Sequence, residues 1–165
     1  MTEEAQDGLP DVPGHPHADL RWLREAIELS RRCPPSESAF SVGAVLVSDA
    51  GGVVATGHSR ERDPKDHAEE VALARAAGDP RLAGATLYSS LEPCLSRASR
   101  PRSCAELIIE AGIARVVMAW LEPPLFAEGG GAGALRRSGV MVVEIPWLAG
   151  LARSVNAHLV GEGDG

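Results

Sequence analysis

Aromatic side chains are scarce in this sequence. Two Phe, one Tyr and three Trp make up 4% of it, so Ala, Val and Leu must fill the core, and few rings are left for stacking against nucleic-acid bases. Cysteine is rarer still. Three cysteines are odd in number and too few for a disulfide scaffold, which points to a reducing, cytoplasmic setting with thiols free for metal or catalysis. A basic surplus is also missing. Asp and Glu number 23 against 16 Lys and Arg, and the net charge of −7 argues against nucleic acid or an anionic membrane surface as partner. The longest apolar stretches are short and broken by Gly, Pro or charge, so no membrane span is expected, and the first residues do not resemble a signal peptide.

What is present fits one domain. The 165 residues are 44% hydrophobic, and the 18 Gly and 12 Pro fall at the ends and between apolar runs, as turns do. Residues 1–17 (MTEEAQDGLPDVPGHPH) are rich in Pro, Gly and acid and are expected to be disordered, with His15 and His17 solvated. Residues 161–165 read as a frayed tail, which leaves a single domain over 18–160.

Within it, Asp19 reads as an N-cap, and Leu20, Leu23, Ala26, Ile27 and Ser30 follow at helical spacing until Cys33-Pro34-Pro35. Residues 40–48 (FSVGAVLVS) and 53–57 flank a Gly-rich turn as a hairpin, and 68–77 (AEEVALARAA) form a helix. Strands over 85–91, 115–120 and 140–145 then alternate with helices over 105–111, 133–138 and 147–160. That order predicts right-handed crossovers and a three-layer α/β/α sandwich around a mixed, five-stranded sheet.

The chemistry concentrates in His67-Ala68-Glu69, which opens one helix, and in Pro93-Cys94 and Cys104, which flank the start of the next. One His and two Cys supply three ligands for a tetrahedral zinc and leave one position for water. A non-ligand Glu two residues after the His and a Pro before the first Cys complete the zinc deaminase pattern. Zinc brings the pKa of bound water to about 7, and Glu69 can carry protons from water to a ring nitrogen and to departing ammonia. Helix N-termini favour thiolate at both Cys94 and Cys104. The plainer alternative is a chance HxE triplet with two buried core cysteines, or a structural zinc that takes Cys33 as a fourth ligand. The Gly-rich 128–133 (EGGGAG) lacks the spacing of a nucleotide-binding loop and reads as a lead into a short helix.

These residues resemble the cytidine deaminase superfamily, and within it the pyrimidine deaminase of riboflavin biosynthesis. The likeness runs through residues 85–120 (ATLYSSLEPCLSRASRPRSCAELIIEAGIARVVMAW), where Leu91-Glu92-Pro93-Cys94 resembles the strand-end metal motif. Most of the superfamily has two residues between the cysteines; nine stand here, as in the widened loop of the riboflavin enzymes. The resemblance implies zinc on His67, Cys94 and Cys104, Glu69 as the catalytic residue, and Arg100 on the phosphate of the substrate. Arg97 and Arg102 share that potential, because guanidinium suits phosphate, although a solvated basic loop would read the same way. His58 is the nearest equivalent of a family histidine that faces the substrate, and equally fits a structural role. The family's substrate-holding Asn is missing, since Ala39 stands in its place, and the form of 40–44 is closer to nucleoside deaminases.

The expectation is therefore a zinc-dependent aminohydrolase of a free pyrimidine nucleotide, namely the diaminohydroxyphosphoribosylaminopyrimidine deamination step of riboflavin synthesis without a fused reductase. The resemblance also implies a homodimer or homotetramer. The alternatives are deamination of cytidine, a cytidine analogue or a purine base such as guanine, and, from another class, a non-catalytic zinc-binding module.

Overall fold

A computed structural model describes residues 16–97, 100–121, 123 and 130–160. The five strands are β1 (Gly43–Val47), β2 (Val53–His58), β3 (Thr86–Ser89), β4 (Arg115–Met118) and β5 (Met141–Glu144). They form one mixed sheet in the order β2-β1-β3-β4-β5, with β1 antiparallel to both neighbours and β3, β4 and β5 parallel. The parallel half is what the alternating strands and helices after residue 85 require, because parallel neighbours need a crossover.

Helices cover both faces. Helix α1 (His17–Ser30) packs on β1 and β3, while α2 (Ala68–Ala76) packs on β2 and β1, beside α3 (Cys104–Ala111) and then α4 (Gly131–Arg137). Two glycines set these approaches. A Cβ on Gly43 would stand 1.9 Å from the Ala26 carbonyl of α1, and one on Gly57 would stand 2.5 Å from the Ala68 carbonyl of α2. Gly57 pairs with Ala44, and Ala44 with Ser89, so these three share the α2 face; Gly43 and His58 share the α1 face. The core of Leu20, Leu23, Ile27, Val45, Leu46, Leu87 and Ile108 is aliphatic, as the shortage of rings requires.

Several boundaries differ from the sequence reading. Helix α1 begins at His17 behind Pro16, so His17 belongs to the domain, and Asp19 is not its cap. The buried Asp19 carboxylate instead accepts from Tyr88 Oη (2.7 Å) and Arg115 Nη1 (2.8 Å), tying α1 to β3 and β4. Burial first, and then that hydrogen bond, push the Tyr88 phenol above its ordinary range. The closing helix is three pieces: a 3₁₀ turn over Pro146–Leu148, α5 (Ala149–Val155) and α6 (Ala157–Val160). The break falls at Asn156, whose amide accepts from Ser41 N (2.7 Å) and donates to Ser41 O (3.0 Å). Strands β1, β3, β4 and β5 are also shorter than their apolar runs, while β2 extends one residue further, to His58. His15, residues 128 and 129 and the tail lie outside the described residues. Among the described residues no helix is long and apolar enough to cross a membrane.

Candidate metal centre and its surroundings

The N-termini of α2 and α3 meet at the C-terminal end of β3. His67 is the residue before α2, in extended conformation, and its backbone N–H donates to Glu70 Oε1 at 3.2 Å. Ser103 caps α3 by accepting from Glu106 N, so Cys104 becomes its first residue, one earlier than the sequence suggested. Cys94 lies against that same helix start. Its Sγ accepts from Cys104 N (3.3 Å) and its carbonyl accepts from Ala105 N (3.1 Å). Cys94 thus satisfies two of the amide groups that a helix start leaves without partners.

His67 Nδ1 lies 3.3 Å from Cys104 Sγ and 3.7 Å from Cys94 Sγ, and the three donor atoms all lie within 4.8 Å of one another. A tetrahedral zinc with ordinary Zn–S and Zn–N bonds has a sulfur-to-nitrogen edge of about 3.6 Å, so the donor set fits zinc in both type and spacing. Cys33 stands elsewhere. It is half-buried with its thiol donating to Val42 O at 3.5 Å, so it is not a fourth member of this group.

The two thiols of the cluster are not equivalent. The hydrogen bond from Cys104 is the main influence on Cys94; with help from His67 and against burial, it brings the Cys94 thiol down to about 4. Donating that bond, and full burial, push the Cys104 thiol well up.

Glu69, 3% exposed, reaches Ser89 Oγ at 2.6 Å, and it raises Cys104 by its charge, so its carboxylate stands beside the cluster. The wide cysteine loop is locally neutralised. Arg97, its side chain 2% exposed, donates to Lys65 O (2.6 Å) and Glu70 Oε1 (3.3 Å). Arg100, its side chain 32% exposed, faces Asp63 (3.4 Å), Asp66 (3.5 Å) and Glu70 (3.4 Å). Glu70 therefore joins the His67 backbone to both arginines. Asp66 is buried, which alone would raise its carboxyl. Hydrogen bonds from the Arg62 side chain and from the Arg62 and Asp63 amides outweigh this and hold it below the ordinary carboxylate range. Arg102 is exposed and paired with Glu110 on α3.

His58 is not brought to the cluster. It leaves the sheet on the α1 face, and its ring is taken up by Ser59 O (3.1 Å) and Glu61 (3.5 Å), while Glu61 also pairs with Arg75. Sequence reasoning passed over Ser89 and Glu70, and quoted Glu92 only as part of a motif; all three shape the site. Glu92 is buried and accepts from Ala132 N at 3.1 Å, docking α4 behind the strap that carries Cys94. A Cβ at Gly131 would stand 1.9 Å from Pro93 O and 2.9 Å from its carbonyl carbon, both backbone atoms that cannot swing aside. Gly131→Ala should lower stability in urea unfolding by about 1–3 kcal/mol, the cost of overpacking. Gly133→Ala, where a Cβ meets only the flexible end of Arg137 at 3.3 Å, should leave stability unchanged or raised.

Comparison with known proteins gives the family. The chain is 39% identical over 132 residues to a diaminohydroxyphosphoribosylamino-pyrimidine deaminase of Schizosaccharomyces pombe, covering 78% of this chain and 32% of that protein. It is 42% identical over 125 residues to the riboflavin biosynthesis protein RibD of Aquifex aeolicus, covering 75% of this chain and 34% of that one. The chain thus spans about a third of the length of these curated relatives. Among solved structures, the Aspergillus oryzae Rib2 deaminase superposes with a TM-score of 0.71 at 26% identity, over 88% of this chain and 93% of that one. The Acinetobacter baumannii RibD structure gives 0.73 at 32% identity, over 87% and 39%. Residues 16–120 match the family model of the cytidine and deoxycytidylate deaminase zinc-binding region, and the chain belongs to that family.

Proposed function

We propose that this chain is a zinc-dependent aminohydrolase that removes the exocyclic amine of a pyrimidine nucleotide, the diaminohydroxyphosphoribosylaminopyrimidine of riboflavin synthesis. The observation that carries this reading is the buried Glu69 carboxylate set beside a group of three metal-type donors among the described residues. His67 Nδ1, Cys94 Sγ and Cys104 Sγ would hold zinc. When bound, the ion supplies Lewis acidity at its open position and brings the pKa of a water there to about 7.

Glu69 does the proton work. Its carboxylate takes a proton from the attacking water, passes it to the ring nitrogen next to the carbon that bears the amine, and afterwards helps protonate the departing ammonia. Nearly full burial keeps bulk water from competing for that proton. Arg100 is the arginine for the substrate phosphate, because it alone of the three is both partly exposed and aimed over the α2 N-terminus. Its carboxylate partners hold the guanidinium in place, and a phosphate can share or replace their weaker contacts. Arg97 is spent on Lys65 O and Glu70 and serves as support, while Arg102 is engaged by Glu110. Names of relatives favour the riboflavin substrate over cytidine or guanine, despite Ala39 where the family carries Asn. A homodimer or homotetramer and a cytoplasmic location go with the same reading.

The test is ammonia release from the phosphoribosyl pyrimidine, beside cytidine, deoxycytidylate and guanine. Glu69→Gln should keep its zinc, measured by elemental analysis, and lose turnover by about 100-fold or more. A variant that retains full activity would remove the proposed mechanism. Arg100→Ala should raise KM for the phosphorylated substrate about tenfold or more, in keeping with the loss of a charge-assisted contact. An unchanged KM would remove its phosphate role.

A further inference from the structure

Ser89 is the last residue of β3, on the face that α2 covers. Two residues earlier on that face stands Leu87, fully buried and apolar, as a core strand requires. Ser89 is equally buried but polar, and its hydroxyl has two partners: Glu69 Oε1 at 2.6 Å and Leu91 O at 2.7 Å. A hydroxyl carries one proton and two lone pairs. Both partners are acceptors toward it, so its one proton serves one of them at a time, and a charge-assisted bond to a carboxylate is the stronger of the two.

We propose that Ser89 is a positioning residue that holds the Glu69 carboxylate in one orientation through its buried hydrogen bond. The inference rests on Glu69 as the proton carrier of a deaminase. Ser89 is at hand for this because β3 ends where α2 begins: the Ala44–Ser89 pairing fixes the strand, and Gly57 lets α2 approach closely enough to deliver Glu69. A loosely held carboxylate would still bind substrate but would meet the reacting atoms less often, so the loss should fall on kcat and not on KM.

The experiment compares Ser89→Ala and Ser89→Thr with the parent, as zinc-loaded full chains. It measures ammonia-release kinetics, zinc content, thermal unfolding and, for Ser89→Ala, a crystal structure. Ser89→Ala should lower kcat about 10- to 100-fold with KM within about twofold, and leave zinc content and unfolding unchanged. Ser89→Thr, which keeps the hydroxyl, should restore most of kcat. The Glu69 carboxylate should move or split into two conformers in Ser89→Ala, a result that does not depend on turnover. Parental kcat in Ser89→Ala, or an unmoved Glu69, would overturn the inference. Ser89→Ala only removes an atom, so it decides the matter even where the added methyl of Ser89→Thr fails to fit. Full activity of Glu69→Gln would instead overturn the underlying reading and this inference with it.

Discussion

The site depends on Cys94 acting as a cap. Its sulfur and its carbonyl each take an amide of the first turn of α3, so one residue of the strap after β3 is fixed to the helix whose first residue is the second thiol. That contact and the Ser103 cap fix the two ends of the stretch between the cysteines. The loop between the cysteines is free to widen, and here the space is used for arginines. Glu92 and the close approach of Gly131 brace the same strap from α4, and Gly57 lets α2 bring His67 from the other side. Each support acts on backbone, which is why the three donor atoms can meet with no loop acting as a hinge between them.

Charge follows the same economy. An acidic chain places three arginines in one loop, but carboxylates from 63–70 and from α3 meet each of them. Glu70 lies at the centre, bonded to the His67 amide and facing Arg97 and Arg100. Whatever engages Arg100 therefore acts on a carboxylate that also holds the backbone of a donor residue. Such a partly solvated network adds modestly to stability; its weight lies in fixing where the guanidinium points.

Much of this was legible in the sequence because it is local. The HAE triplet at a helix start and the Pro-Cys at a strand end each state their geometry within a few residues. Alternating strands and helices after residue 85 likewise fixed the parallel half of the sheet. What escaped was long-range. Asp19 looks like a cap, yet its partners Tyr88 and Arg115 lie 69 and 96 residues away. Asn156 breaks an apparently continuous helix to reach Ser41, 115 residues back. The arginine loop could read as a solvated basic loop because the acids that meet Arg97 and Arg100 sit 27 to 37 residues earlier. Ser89 did leave a trace, a polar residue on the core face of a central strand, but nothing local says that Glu69 meets it there.

The central claim is that His67, Cys94 and Cys104 make a three-donor zinc centre with one position left open. Zinc-edge X-ray absorption of the zinc-loaded protein tests it most directly. The account requires one zinc per chain, with two sulfur neighbours at about 2.3 Å and two nitrogen or oxygen neighbours at about 2.0–2.1 Å. Three or four sulfur neighbours, or a chain that takes up no zinc, would contradict it.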